Sequence, residues 1–266
     1  MNPSREEVRF YVAQALGTGS PVLQIGCGSG SILLAMGQAG LETWAIDPGP
    51  PEAWSPSIGE GGPGNLHLVA ADLREFELGP RFGLVYAPQC AFMQLLSPED
   101  QLSALACFHR HLLPRGKLLL HLQRPVASGL ADLSAGEPQP VVRKPSRDSR
   151  DPAGRKVLAA ESAGHLPASQ RLHRAQIYDT LDRGGRICRR RYVHEILRYV
   201  HRWECEHLLH RAGFVPEQVF GDFQGGELED QQEMIFLARR RTHSELREQI
   251  AALEREASSW SGDNRH

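Results

Sequence analysis

Residues 22–30 read Val-Leu-Gln-Ile-Gly-Cys-Gly-Ser-Gly, and a helix-compatible run from Ser31 to Gln38 follows at once. A short apolar run that ends in glycine at alternate positions, Gly26, Gly28 and Gly30, reads as a strand, a sharp turn and a helix start. Glycine lets the backbone turn tightly and lets a ligand approach with no Cβ in the way. Such a turn points N–H groups at whatever lies over it. The spacing is G-x-G-x-G. The dinucleotide fingerprint G-x-G-x-x-G would need glycine at position 31, where Ser31 stands. The stretch predicts the opening of an α/β fold with a nucleotide-like ligand over the turn. A corner that binds nothing is the plainer alternative.

Working outward, residues 5–16 predict an amphipathic helix with Val8, Val12 and Leu16 on one stripe, widened by Tyr11 and Ala15. Val22–Ile25 predicts a strand buried on both faces, Ile32–Ala39 a helix stopped by Gly40, and Leu41–Ile46 a second strand ending at Asp47. Residues 48–65 are too rich in proline and glycine for a helix. Leu66–Ala70 and Phe82–Ala87 predict strands three and four. Pro98–Leu113 predicts a helix capped by Ser97 and closed by Pro114, and Lys117–Leu122 a fifth strand. This alternation predicts a doubly wound, mostly parallel sheet. The pattern then changes. Residues 124–155 read as loop, 156–163, 170–181 and 186–197 as antiparallel strands with a hairpin turn at Asp182–Gly185, and 199–212 as a helix. Val215–Phe220 and Glu233–Ala238 predict two closing strands, and 243–258 a charged helix with a narrow Leu246, Ile250, Leu253 stripe. That stripe packs on its own body or on a second copy, so monomer and homodimer both stay open.

Composition excludes several classes. The 266 residues carry a net charge of −2, which gives no global field for nucleic acid. No apolar run reaches the roughly 18 residues of a membrane span, and the N-terminal stretch has no signal-peptide core. The five cysteines are scattered without a C-x-x-C pair, which reads as reduced thiols of a cytoplasmic protein. Twelve histidines show no H-E-x-x-H spacing, so no metal site is expected.

In such a sheet, ligands bind at the carboxyl ends of the strands where strand order reverses. The turn at 26–30 lies at one such end. Asp47, at the tip of strand two, can accept from both hydroxyls of a ribose, or can serve as a helix cap. Asp72, flanked by Ala71 and Leu73 after strand three, can accept from an exocyclic amine, or can be a turn residue. Ala87, Pro88 and Gln89 end strand four.

The order and spacing of these features resemble the small-molecule class I S-adenosylmethionine (SAM) methyltransferases over residues 5–123 and 199–240. The stretches FGLVYAPQCAFMQLLSPEDQLSALACFHRHLLPRGKLLLHL and YVHRWECEHLLHRAGFVPEQVFGDF carry most of the likeness. The resemblance implies a Rossmann-like, seven-stranded, mostly parallel sheet and SAM as cofactor. It implies a core of residues 1–123 and 198–241, an antiparallel insert of 124–197 that selects a small-molecule acceptor, and a C-terminal helix and tail of 242–266. The cofactor residues it implies are Tyr11, Gln24, Gly26, Cys27, Gly28, Ser29, Gly30, Asp47, Pro48, Ala71, Asp72, Leu73, Ala87, Pro88 and Gln89. The family usually has an acid where this chain has Gln24, Asp at Gly83, glycine at Arg115, and a helix after Asp47.

Along 186–193, Arg186, Cys188, Arg190 and Tyr192 share one face, and Ile187, Arg189, Arg191 and Val193 the other. Arginine on both faces reads as a solvated edge, as an anion site for the acceptor, or as an RNA contact. Arg124, Tyr178, Arg190, Tyr192 and His194 are the candidate acceptor contacts. His194 and Glu195 are candidate bases, with no catalytic residue assigned. Transfer of a methyl group from a sulfonium to a small polar or anionic acceptor is the expected activity. A binding module without catalysis and a nicotinamide oxidoreductase are the alternatives.

Overall fold

The computed structural model describes residues 3–49, 63–123, 139–141, 151, 154–229, 233–242, 244, 245, 247 and 251. Helix α1 (Arg5–Thr18) starts where Ser4 Oγ accepts the Glu7 N–H at 3.0 Å. Its buried face is rotated from the expected stripe: Glu7, Phe10, Tyr11 and Ala15 are buried, while Leu16 is 59% exposed. The aromatic pair decides this. Phe10 meets Phe220 edge-on at 5.4 Å and Tyr11 packs on Tyr86 at 5.5 Å, with Val8 and Val12 partly buried beside them.

Strands β1 (Val22–Ile25), β2 (Thr43–Asp47), β3 (Leu66–Ala70), β4 (Phe82–Ala87) and β5 (Leu112–Leu122) alternate with α2 (Ser31–Gln38) and α3 (Pro98–His111). The insert holds β6 (Gln139–Val141), β7 (Val157–Leu166), β8 (Arg171–Leu181) and β9 (Ile187–Arg198). Helix α4 (Arg202–Arg211), β10 (Phe214–Phe220) and β11 (Met234–Arg240) complete the core. The main sheet runs β10-β11-β5-β4-β1-β2-β3, with β11 antiparallel to both neighbours and the other pairs parallel. The chain winds from β1 to one edge, then returns to β4 on the other side of β1. The crevice between β1 and β4 is therefore the switch point. Every residue of β4 is buried, with Val85 and Ala87 facing one core and Leu84 and Tyr86 the other. That two-sided burial is why the strand is apolar throughout.

The largest differences from expectation lie at β5 and in the insert. Helix α3 ends at His111 and β5 begins at Leu112, five residues early. Pro114 forces Leu113 into extended backbone and so stops the helix before it. Strand β6 forms inside the stretch read as loop, as the outer strand of a four-stranded antiparallel sheet ordered β6-β7-β8-β9. Residues 50–62, most of 124–153, and the Leu246, Ile250 and Leu253 stripe lie outside the described residues.

The insert is anchored to the core by one buried guanidinium. Arg198, 5% exposed at the end of β9, donates to Gln101 of α3 and Gln170 at 2.8 Å each, and to Glu204 of α4. One Arg satisfied by three elements fixes where β8 and β9 leave the core.

The departure at Gly83 has a steric cause. A Cβ there would lie 2.7 Å from the Gly19 carbonyl oxygen and 2.8 Å from that of Thr18. The C-terminus of α1 therefore rests directly on β4, and no side chain fits between them. Arg115 takes φ 61°, the left-handed conformation glycine would supply in that turn. Gly83→Ala must push α1 outward and is expected to lower stability by about 1–3 kcal/mol, read from urea unfolding. An unchanged midpoint would show that α1 is not seated on β4.

Candidate functional site

The turn after β1 takes its shape from three left-handed glycines: Gly26 at φ 80°, Gly28 at 54° and Gly30 at 75°. Two polar side chains hold it. Gln24, 2% exposed, donates from Nε2 to the Gly26 carbonyl at 2.6 Å, while its Oε1 accepts the Tyr86 hydroxyl at 2.8 Å. Asp47 accepts the Cys27 N–H at 2.8 Å through Oδ2 and the Gly49 N–H at 2.8 Å through Oδ1. Helix α2 then starts at Gly30 with no side-chain cap, so its first N–H groups face outward from the turn.

The turn floors a cleft of about 260 Å³ at the carboxyl ends of β1, β2, β4 and β5. Of the expected cofactor residues, Gln24, Gly26, Cys27, Gly28, Ser29, Gly30, Asp47, Pro48, Leu73, Pro88 and Gln89 line it. Tyr11, Ala71, Asp72 and Ala87 do not. Tyr11 and Ala87 are fully buried, and the Ala71 N–H donates to the Asp47 carbonyl at 3.1 Å. Asp72 is half exposed and gripped by Arg74, whose Nη2 lies 2.6 Å from Oδ2. That guanidinium holds the Asp72 carboxyl at about 2, below its usual range.

The acceptor candidates are placed differently from the cleft. Arg124 lies outside the described residues. Cross-strand pairing sets the parity of the rest: Arg174 opposes Glu195, Gln176 opposes Val193, and Tyr178 opposes Arg191. Arg174, Gln176 and Glu195 line the cleft. Arg190, Tyr192 and His194 therefore project from the opposite face, since a shift of one residue on a strand reverses the side chain. Arg190 is paired there with Asp179 at 2.7 Å, and Tyr192 is 63% exposed. Tyr178 shares the cleft-side face and donates to Gln176 Oε1 at 2.9 Å, without lining the cleft. Glu195 is ion-paired with Arg174 at 2.7 Å.

Several cleft residues carried no sequence reading: Glu7, His121, Gln123, Arg174, Gln176, Phe223 and Glu233. His121 interrupts the leucines of β5 near their carboxyl end, a position that marks a polar group aimed at the crevice. Its Nδ1 accepts the Gln89 N–H at 3.2 Å, so the ring proton sits on Nε2 and goes to Glu233 Oε2 at 3.0 Å. Phe223 packs edge-on against the same ring at 5.1 Å. Gln89 and Cys90 both take positive φ, 50° and 67°. Two consecutive non-glycine residues in that region are uncommon and mark a functional corner. The Gln89 side chain reaches back to the turn: its Oε1 would lie 3.5 Å from a Cβ on Gly28. Burial pushes the Glu7 carboxyl pKa up, opposed by His121 and by hydrogen bonding from Ser4 and Gln89.

Residues 22–116 match the family model described as a methyltransferase domain. No curated protein matches the sequence. Among solved structures, the CcbJ methyltransferase from Streptomyces caelestis is 18% identical with a TM-score of 0.71, over 90% of this chain and 97% of that one. SAM-bound CalS10, an amino pentose methyltransferase from Micromonospora echinaspora, is 20% identical with a TM-score of 0.65, over 90% and 92%. The sugar N-methyltransferase KedS8 from Streptoalloteichus sp ATCC 53650 is 19% identical with a TM-score of 0.62, over 88% and 85%. The chain thus has the fold of these methyltransferases, and residues 22–116 match the methyltransferase-domain model.

The cleft fits the cofactor such folds take. The turn gives close backbone approach, Asp47 keeps two lone-pair sites beyond its two backbone bonds, and Pro48 and Leu73 give apolar walls. Gln24 is committed to the turn as a donor. Gln24→Glu sets a carboxylate against the Gly26 carbonyl and is expected to cost about 1–3 kcal/mol at neutral pH. The introduced acid has a raised folded pKa, so the loss shrinks as pH falls and the protonated carboxyl donates again. Melting curves at pH 8 and pH 5 read this, and equal losses at both would show that the Gly26 contact carries no weight.

Proposed function

We propose that the chain is a SAM-dependent methyltransferase of a small polar acceptor, with residues 1–123 and 198–241 holding the cofactor. The insert, 124–197, closes the acceptor side through β8 and β9, and 242–266 form a tail. The reading rests above all on Asp47: it sits at the switch-point crevice, tied by one oxygen to the Gly26–Gly30 turn, with acceptor capacity left for a ribose diol.

Bound SAM would supply an electrophilic methyl group on its sulfonium, with S-adenosylhomocysteine as the leaving thioether. The chain's own contribution is positioning and exclusion of water. The N–H groups of the turn and of α2 suit a ligand carboxylate. Leu73 and Pro48 suit packing against a purine ring, and Asp72 is held by Arg74 at the rim. Across the cleft, the His121 ring orients Glu233, and Glu233 is the carboxylate placed to take a proton from the acceptor. Phe223 covers the ring from outside.

Among the described residues, the acceptor face holds Glu7, Glu195 and Glu233 against the one guanidinium of Arg174, itself paired with Glu195. The arginines that suggested an anionic acceptor lie on β9 away from the cleft or on its exposed end. A polar acceptor fits this wall better than an anionic one. The amino pentose and sugar activities of CalS10 and KedS8 support the same reading. No described helix is long and apolar enough to cross a membrane, and the five free cysteines fit a cytoplasmic setting.

Titration calorimetry with SAM and with S-adenosylhomocysteine tests the assignment, with saturable binding of both expected. No heat at millimolar ligand would favour a module that has lost cofactor binding. Asp47→Ala is expected to weaken SAM binding by on the order of 2 kcal/mol, as for hydrogen bonds to a charged group. Unchanged affinity would remove Asp47 from the ribose role.

A further inference from the structure

We infer that Glu7 is the binding partner of a ligand ammonium group, at the end of the cleft between the Gly26–Gly30 turn and the His121–Glu233 pair. The inference rests on the SAM-dependent reading above and adds the group that this end of the cleft recognises.

Glu7 is 7% exposed, lines the cleft, and its Oε1 is buried with no hydrogen-bond partner. A carboxylate taken out of water costs free energy unless a donor or a cation meets it. The Ser4 backbone N–H and the Gln89 side chain act on the Glu7 carboxylate, yet its Oε1 still has no partner. His121 and Glu233 are its titratable neighbours. His121 is engaged at both ring nitrogens, Nε2 with Glu233 and Nδ1 with the Gln89 N–H. Arg174 is engaged by Glu195. Gln24 beneath the turn is neutral and has both ends of its amide occupied. Among the described residues no three His, Cys, Asp or Glu side chains gather to hold a metal ion. A ligand anion would meet two carboxylates here. An ammonium brings three donors and a positive charge, and can bond Glu7 and Glu233 together through charge-assisted hydrogen bonds. Two ligand parts carry that chemistry: the α-ammonium of SAM and a protonated amine on the acceptor.

Calorimetry on the whole chain separates these sources. Wild type, Glu7→Gln and Glu7→Asp are titrated with S-adenosylhomocysteine and with 5′-methylthioadenosine, which lacks the amino-acid end. They are also titrated with methylammonium chloride, with and without saturating S-adenosylhomocysteine. Glu7→Gln removes a buried charge and is expected to melt no lower than wild type. The expected result is a loss of about tenfold or more in affinity for one ammonium ligand, with 5′-methylthioadenosine unaffected. A loss for S-adenosylhomocysteine assigns the α-ammonium; a loss for methylammonium alone assigns the acceptor amine. Equal affinities of wild type and Glu7→Gln for every ligand overturn the inference. So does wild-type binding of sodium acetate in preference to methylammonium, a comparison that needs no variant. If wild type binds neither nucleoside, the SAM reading fails instead, and methylammonium titrated without nucleoside still decides the role of Glu7.

Discussion

The site depends on the backbone of five residues staying in a conformation that nothing in an isolated peptide would select. Gly26, Gly28 and Gly30 permit that conformation, but permission is not selection. Selection comes from two polar side chains on adjacent strands. Gln24 pulls the Gly26 carbonyl down toward the sheet, and Asp47 catches the Cys27 N–H from the side. Each is held in turn. Tyr86 on β4 donates to Gln24, and the Gly49 N–H completes Asp47. Parallel pairing of β1 with β2 and β4 sets these neighbours in register. The sheet therefore fixes the turn, and the turn fixes the direction of the α2 N-terminus. A loop built of glycine would otherwise lose more entropy on ordering than any other sequence.

Two departures from the resemblance, Gly83 and Gln24, each have a local packing reason. With Gly83 bare, the end of α1 rests on β4, with the Thr18 and Gly19 carbonyls against the strand. That seating lets α1 present Glu7 to the cleft and bury Tyr11 below it. Position 24, neutral and saturated, then serves the turn alone. Glu7 of α1 and Glu233, the residue before β11, bring two carboxylates to this end of the cleft.

The sheet was legible because its strands obey simple rules. The apolar runs 66–70 and 82–87 coincide with β3 and β4, since two-sided burial leaves no room for polar interruption. The glycine turn and Asp47 were legible for the same reason: positive φ and strand-tip polarity leave marks in residue type. Other parts were hidden by geometry that residue type does not record. Gln89 and Cys90 adopt positive φ without being glycine, and that brings Gln89 to the turn and its N–H to His121. The α1 stripe holds at Tyr11 and Ala15 and in part at Val8 and Val12, but Leu16 faces solvent and Phe10 is buried instead through ring packing on Phe220. Residue counting cannot rank such contacts before the partner strands are known.

The insert carries the sharpest lesson about polarity. Strand β9 holds arginines on both faces, so composition alone points to an anion site. Pairing with β8 assigns the faces: Glu195 turns toward the cleft against Arg174, while Arg190 turns away and is neutralised by Asp179. The cleft thereby keeps one compensated guanidinium and adds Glu7 and Glu233, whose carboxylates have no arginine or lysine partner among the contacts described. A wall of that sign disfavours an anion by like-charge repulsion and favours a cation for which the surrounding water has already been partly excluded. Shifting β9 by one residue would expose the opposite set and reverse the preference. The register of a single hairpin, set by Asp182 accepting the Gly184 and Arg186 N–H groups at 2.9 Å each, thus decides the charge that an acceptor meets.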